Sequence, residues 1–157
     1  MSPTIIQPES FQLAGLRLQI RQEANQPNDL SGIPDLWKQL RSIWDQIPGR
    51  VGTERYVVIS GDFTSRSEMA YYYAMVQVEQ LERVPQMFER LDFSNRKIAY
   101  FRHKGSLALS GQTAYRVLNE WVPASGESIS DNMELSRFEA SFDPRSTDGE
   151  FDYGIFI

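Results

Sequence analysis

Glu139 stands between two phenylalanines in the stretch S-R-F-E-A-S-F, residues 136–142, a carboxylate flanked by aromatic rings. If the segment is extended, Phe138, Ala140 and Phe142 share one face and Arg137, Glu139 and Ser141 the other, so period alone makes Glu139 the solvent side of a strand. A carboxylate beside aromatic walls would instead suit an organic cation: a ring face over a cation contributes roughly 0.5–2 kcal/mol, and a desolvated carboxylate adds charge complementarity. The chain is rich in the required walls, with seven Tyr, nine Phe and three Trp. Tyr71, Tyr72 and Tyr73 run in succession, which puts aromatic rings on both faces of any strand that holds them.

Other chemistries lack their residues. There is no cysteine, which excludes disulfides, thiol nucleophiles and thiolate ligands and suits a reducing cytoplasm. His103 is the single histidine, and it sits mid-strand between Arg102 and Lys104 with no G-x-S-x-G elbow in the chain, so it reads as structural rather than as part of a triad. No spaced Asp/Glu cluster resembles a calcium loop or a zinc motif, and no metal is expected. Glycine-rich phosphate loops are missing too, and no cofactor is expected. A formal charge of −5 argues against phosphate-backbone binding, so no direct nucleic-acid contact is expected. The first ten residues have neither the basic start nor the apolar core of a secretory signal, and no apolar run is long enough to span a bilayer, so neither export nor a membrane is expected. The expected location is the cytoplasm.

These residues need a scaffold, and 157 residues amount to one ordinary domain. Residues 11–21 alternate as a strand. The segment I-P-D-L-W-K-Q-L-R-S-I-W-D-Q-I-P-G then places Ile33, Leu36, Trp37, Leu40, Ile43, Trp44 and Ile47 at helical spacing, with Pro34 and Asp35 in the first turn and Pro48-Gly49 as a stop. Strands at 56–63 and 69–80 follow as a hairpin around T-S-R-S-E. The second half begins with a strand at 97–105. A helix carrying Ala114, Val117, Leu118 and Trp121 follows, running from Ser110 to the stop at Pro123, and two strands in N-M-E-L-S-R-F-E-A-S-F and F-D-Y-G-I-F-I complete the half. Each helix ends on a tryptophan shortly before a proline. The pattern is β-α-β-β twice, with pseudo-repeats at about 8–80 and 96–157 of a single domain spanning 1–157. The expected fold is α+β: duplicated β-α-β-β units forming one mostly antiparallel sheet, with two helices on one face and a ligand cleft between the halves.

The order of I-P-D-L-W, Y-F-R-H-K-G, N-E-W-V-P-A-S-G, R-F-E and D-Y-G-I-F-I resembles the GyrI-like effector-binding family, which also supplies the ligand domain of AraC-type and MerR-type multidrug regulators. The resemblance covers about residues 8–157. It implies a cleft for hydrophobic, often cationic, small molecules with a glutamate at its base, the position matched here by Glu139. Trp37, Tyr100 and Trp121 match other family positions, and with Phe138, Tyr71 and Tyr73 they make up the expected ligand site. Ser141 departs from the tyrosine the family usually places two residues after the glutamate. With no segment left over for a DNA-binding helix-turn-helix, the expectation is a stand-alone binding module of the kind also carried on mobile gene cassettes. No catalytic residue is assigned. Two alternatives remain open: a hydrolase of electrophiles with Glu139 as general base, and a module that inhibits a DNA enzyme by protein contact. A protein partner or a second copy of the chain is likewise open.

Overall fold

A computed structural model describes residues 1–21, 30–61 and 69–157. Strand β1 (Thr4–Arg21) leads to helix α1 (Ile33–Ile43), then to β2 (Arg55–Ser60) and β3 (Met69–Val78). Strand β4 (Glu89–Lys104) opens the second half and is followed by α2 (Ser110–Arg116), a π-helical turn (Val117–Trp121) and α3 (Val122–Ser125). Strands β5 (Met133–Phe138) and β6 (Glu150–Phe156) complete it. This is the β-α-β-β order twice. The T-S-R-S-E turn and most of the polar stretch after β1 lie outside the described residues.

All six strand pairings are antiparallel, in the cyclic order β1-β3-β2-β5-β6-β4. The sheet therefore closes on itself, because β1 is long enough to pair with β3 through Gln12–Arg21 and with β4 through Thr4–Gly15. At the crossover sits Gly15, where a Cβ would lie 1.9 Å from the Ala74 carbonyl oxygen; the two strands approach too closely for any side chain.

Closure divides the apolar residues by strand period. Phe11, Leu13, Tyr56, Val58, Met75, Phe93, Ile98, Tyr100, Leu135 and Phe156 fill the barrel interior. The sheet face opposite the helices, onto which some of the three consecutive tyrosines must turn, is thus a packed core. The alternate residues, among them Val57, Tyr72, Ala74, Phe101, Phe138 and Tyr153, face the helices. Helix α1 lies over β1 and β3, burying Leu36 and Leu40. On the other half Val117 is buried, and Trp121 meets Phe101 edge-on with ring centroids 5.0 Å apart. The central strands β2 and β5 run between the two helical layers as the floor of a trench.

His103 is a fixed part of this packing at 2% exposure. Its Nε2 lies 3.0 Å from the Ser106 carbonyl oxygen, an acceptor only, so Nε2 carries the proton and Nδ1 accepts from the Thr113 hydroxyl at 2.7 Å. The ring ties β4 to α2.

Candidate functional site

The trench holds a cavity of about 290 Å³, bounded by Ile33, Pro34, Trp37 and Arg41 of α1, Arg55 and Val57 of β2, and Tyr72 of β3. Leu107, Phe138, Phe142 and Pro144 close it from the second half. That volume is at the small end of ligand sites, and its walls are mostly apolar with few polar groups, as such sites require. Phe138 reaches it because it shares the helix side of β5, and Phe142 follows because a turn, with the Phe142 amide donating to the Glu139 carbonyl at 3.0 Å, folds the chain back after the strand. Phe138, Phe142 and Phe151 form one aromatic cluster behind the wall.

Trp37 is fixed by its indole N–H, which donates to the Tyr72 hydroxyl at 2.8 Å. Burial pushes the Tyr72 hydroxyl up to about 12, so it stays neutral and available to accept at physiological pH. Replacing Tyr72 with Phe orphans the indole N–H beside an apolar cavity; the expected cost is about 1 kcal/mol, read as a lower midpoint in urea unfolding.

Two strands from Tyr72, in the same cross-strand row, stands Glu134: Tyr72 pairs with Ile59 and Ile59 with Glu134. Its side chain lies on the helix side with Ser136 and Phe138, and the Tyr153 hydroxyl donates to it at 2.6 Å. Burial raises the carboxyl pKa, and the Tyr153 bond lowers it in part. The Tyr153 hydroxyl is itself pushed far up by burial and by the neighbouring carboxylate. A half-buried carboxylate with no cation paired to it among the described residues favours a cationic partner.

Glu134 is not among the residues that line the cavity, and the charge that does line it is positive. The Arg55 guanidinium donates through Nη2 to the carbonyl oxygens of Phe142 at 3.0 Å and of Glu139 and Ala140 at 3.3 Å each, while its buried Nε has no acceptor. Burial, and then the nearby charge of Arg41, lower its pKa. Among the described residues no carboxylate pairs with Arg41 or Arg55.

Of the residues singled out in the sequence, the structure brings Trp37 and Phe138 together at the cavity. Trp121 packs on Phe101 in the helical layer of the second half, outside the cavity lining. Tyr71 and Tyr73 point to the opposite face, their rings 6.4 Å apart with the Arg17 guanidinium over Tyr71. Tyr100 is buried in the barrel, under the guanidinium of Arg137, which in turn holds Asp152. Glu139 is exposed just beyond the end of β5, in a shallow depression with Arg102, Asp143, Asp148 and Glu150. Sequence reasoning missed Arg41, Arg55 and Tyr72 as residues of the cavity lining, and Glu134 beyond it. Tyr72 was open to detection, since one of three consecutive tyrosines must take the face opposite to the other two. Among the described residues, no group of three or more His, Asp or Glu side chains could hold a metal ion. No described helix is long and apolar enough to cross a membrane.

Residues 1–154 match the GyrI-like small molecule binding domain. The chain belongs to the GyrI-like family. No curated protein matches the sequence. Among solved structures, SAV2435 bound to tetraphenylphosphonium is similar at a TM-score of 0.67 and 10% identity, with 99% of this chain and 93% of that one covered. An integron cassette protein from the mobile metagenome of Vibrio cholerae gives a TM-score of 0.57 at 12% identity, covering 99% of this chain and 95% of its own. The EcmrR protein, solved in a DNA complex, gives a TM-score of 0.71 at 12% identity; this GyrI-like chain aligns over 98% of its length with 56% of that chain. At such identities the likeness establishes the fold, and the family match establishes a small-molecule binding domain.

Proposed function

We propose that this GyrI-like protein binds a lipophilic cation in the trench between its halves, for sequestration or sensing, and that Glu134 is its cleft glutamate. The observation that carries the reading is the half-buried Glu134 carboxylate, which accepts from the Tyr153 hydroxyl two strands from the Trp37–Tyr72 wall and pairs with no cation among the described residues. A flat or rounded aromatic cation would set its body against Trp37, Tyr72, Phe138 and Phe142. The charges of Arg41 and Arg55 repel a cationic centre, which accordingly sits toward Glu134. Glu139, solvated and outside this volume, has neither the desolvation nor the walls to add much affinity. The capture of tetraphenylphosphonium by a protein of the same fold supports the ligand class. A cysteine-free chain suits the reducing cytoplasm, where we place it.

Trp37 supplies the test, because it alone of the three tryptophans lines the cavity. Titration with tetraphenylphosphonium is expected to quench tryptophan emission saturably in the wild type. The quenching should largely vanish in Trp37→Phe, although Trp44 and Trp121 remain. Quenching that survives intact in that variant, or that never saturates, places the ligand elsewhere and removes the reading.

A further inference from the structure

We propose that the ligand of this cleft also carries an acidic group, a carboxylate or sulfonate, received by Arg41 and Arg55 at the end of the cavity away from Glu134. The inference rests on the cavity being the ligand site and goes beyond the cation reading in assigning a second, opposite charge. Two guanidinium groups line the cavity, and no Asp or Glu lines it with them. The Nη2 of Arg55 is spent on three backbone carbonyls, which orient the fork but leave its full positive charge uncompensated. Its Nε is left without an acceptor. A guanidinium makes strong charge-assisted hydrogen bonds to acid oxygens, and the apolar side of the cavity holds the rest of the ligand against it.

The site is also out of keeping with the rest of the surface. The chain has a formal charge of −5, and its other arginines commonly meet carboxylates: Arg17 with Glu89, Arg50 with Asp45, Arg96 with Asp131, Arg102 and Arg137 with Asp152. An unneutralised arginine pair against aromatic rings is what a bound acid would complete. Arg55 and Glu134 lie four residues apart along paired strands, because Arg55 faces Phe138 and Glu134 faces Ile59. That spacing is about 13 Å at the usual rise per residue. A compound of two or three rings with a basic group at one end and an acid at the other spans it.

The test compares 1-anilinonaphthalene-8-sulfonate with its uncharged parent, N-phenyl-1-naphthylamine, each displaced or followed by its own fluorescence. The sulfonate is expected to bind about tenfold more tightly than the parent despite the overall negative charge of the protein. In Arg41→Gln and in Arg55→Gln the ratio of the two affinities should fall toward one. Arg55→Gln risks loosening the turn it holds, whereas Arg41 is exposed on α1 and its replacement leaves the packing intact. A merely structural defect lowers both affinities and keeps their ratio. Equal affinities in the wild type, or a ratio unchanged in Arg41→Gln, overturn the acid site while leaving the aromatic cavity standing. If neither dye nor tetraphenylphosphonium binds, the cavity reading fails and the acid site falls with it.

Discussion

Glu134→Gln should lower affinity for tetraphenylphosphonium by on the order of 100-fold, about 2.8 kcal/mol, while a neutral aromatic of similar size loses little. The amide keeps the volume and can still accept from the Tyr153 hydroxyl, so the change removes charge and little else. The same variant should stabilise the unliganded protein. A carboxyl whose pKa is raised in the folded state contributes most when protonated, and that contribution is lost as pH rises through the elevated value. A glutamine cannot ionise and escapes the loss. The melting temperature of Glu134→Gln is therefore expected to exceed that of wild type by a margin that opens above about pH 4, the ordinary range of glutamate, and widens upward. Weaker binding joined to greater stability is the signature of a charge kept for a ligand. Loss of cation and neutral ligand alike, with no gain in stability, would instead make Glu134 a packing residue.

The second large effect is structural. Gly15→Ala is expected to cost about 3 kcal/mol or more, seen as a drop of roughly 10 °C in melting temperature for a chain of this size. The added Cβ would lie 1.9 Å from the Ala74 carbonyl oxygen and 2.9 Å from Met75 Sδ. The sulfur can move, but the carbonyl belongs to a ladder paired on both sides, with β1 and with β2. Relief requires β1 to back away at the place where it passes from one neighbour to the other, and the barrel interior opens there. A variant within about 0.5 kcal/mol of wild type, the range of an inert surface change, would show that the close approach is not held in solution.

Much of the scaffold could be read from residue spacing, and the reasons differ by element. Helix α1 was legible because Leu36, Trp37 and Leu40 recur at its period and Pro34 marks its start. Strand β4 was legible only from Lys97 onward. Its first half alternates Leu91 and Phe93 with charged and polar residues, so one buried face carries too few apolar positions to stand out. Closure of the sheet was not legible at all, since nothing local says that the start of β1 meets β4. The aromatic cavity escaped for a related reason: its walls come from five separate stretches of chain. Glu139 drew the eye through its flanking phenylalanines, yet β5 ends at Phe138 and the alternation ends with it. Glu134 is held by Tyr153, 19 residues later, a partner visible only once β5 and β6 are paired.

The cyclic strand order has a meaning for the polarity of the trench. Reading outward from the boundary between β2 and β5 gives β3 then β1 on one side and β6 then β4 on the other, the same sequence of equivalents in each half. An axis of approximate two-fold symmetry thus passes through the middle of the trench floor. In a dimer of two identical halves that axis would be exact, and both ends of the groove would present the same side chains. Joining the halves in one polypeptide lifts that constraint. One end can hold Arg55 and the other Glu134, giving the groove a direction and allowing it to distinguish the head of a ligand from its tail.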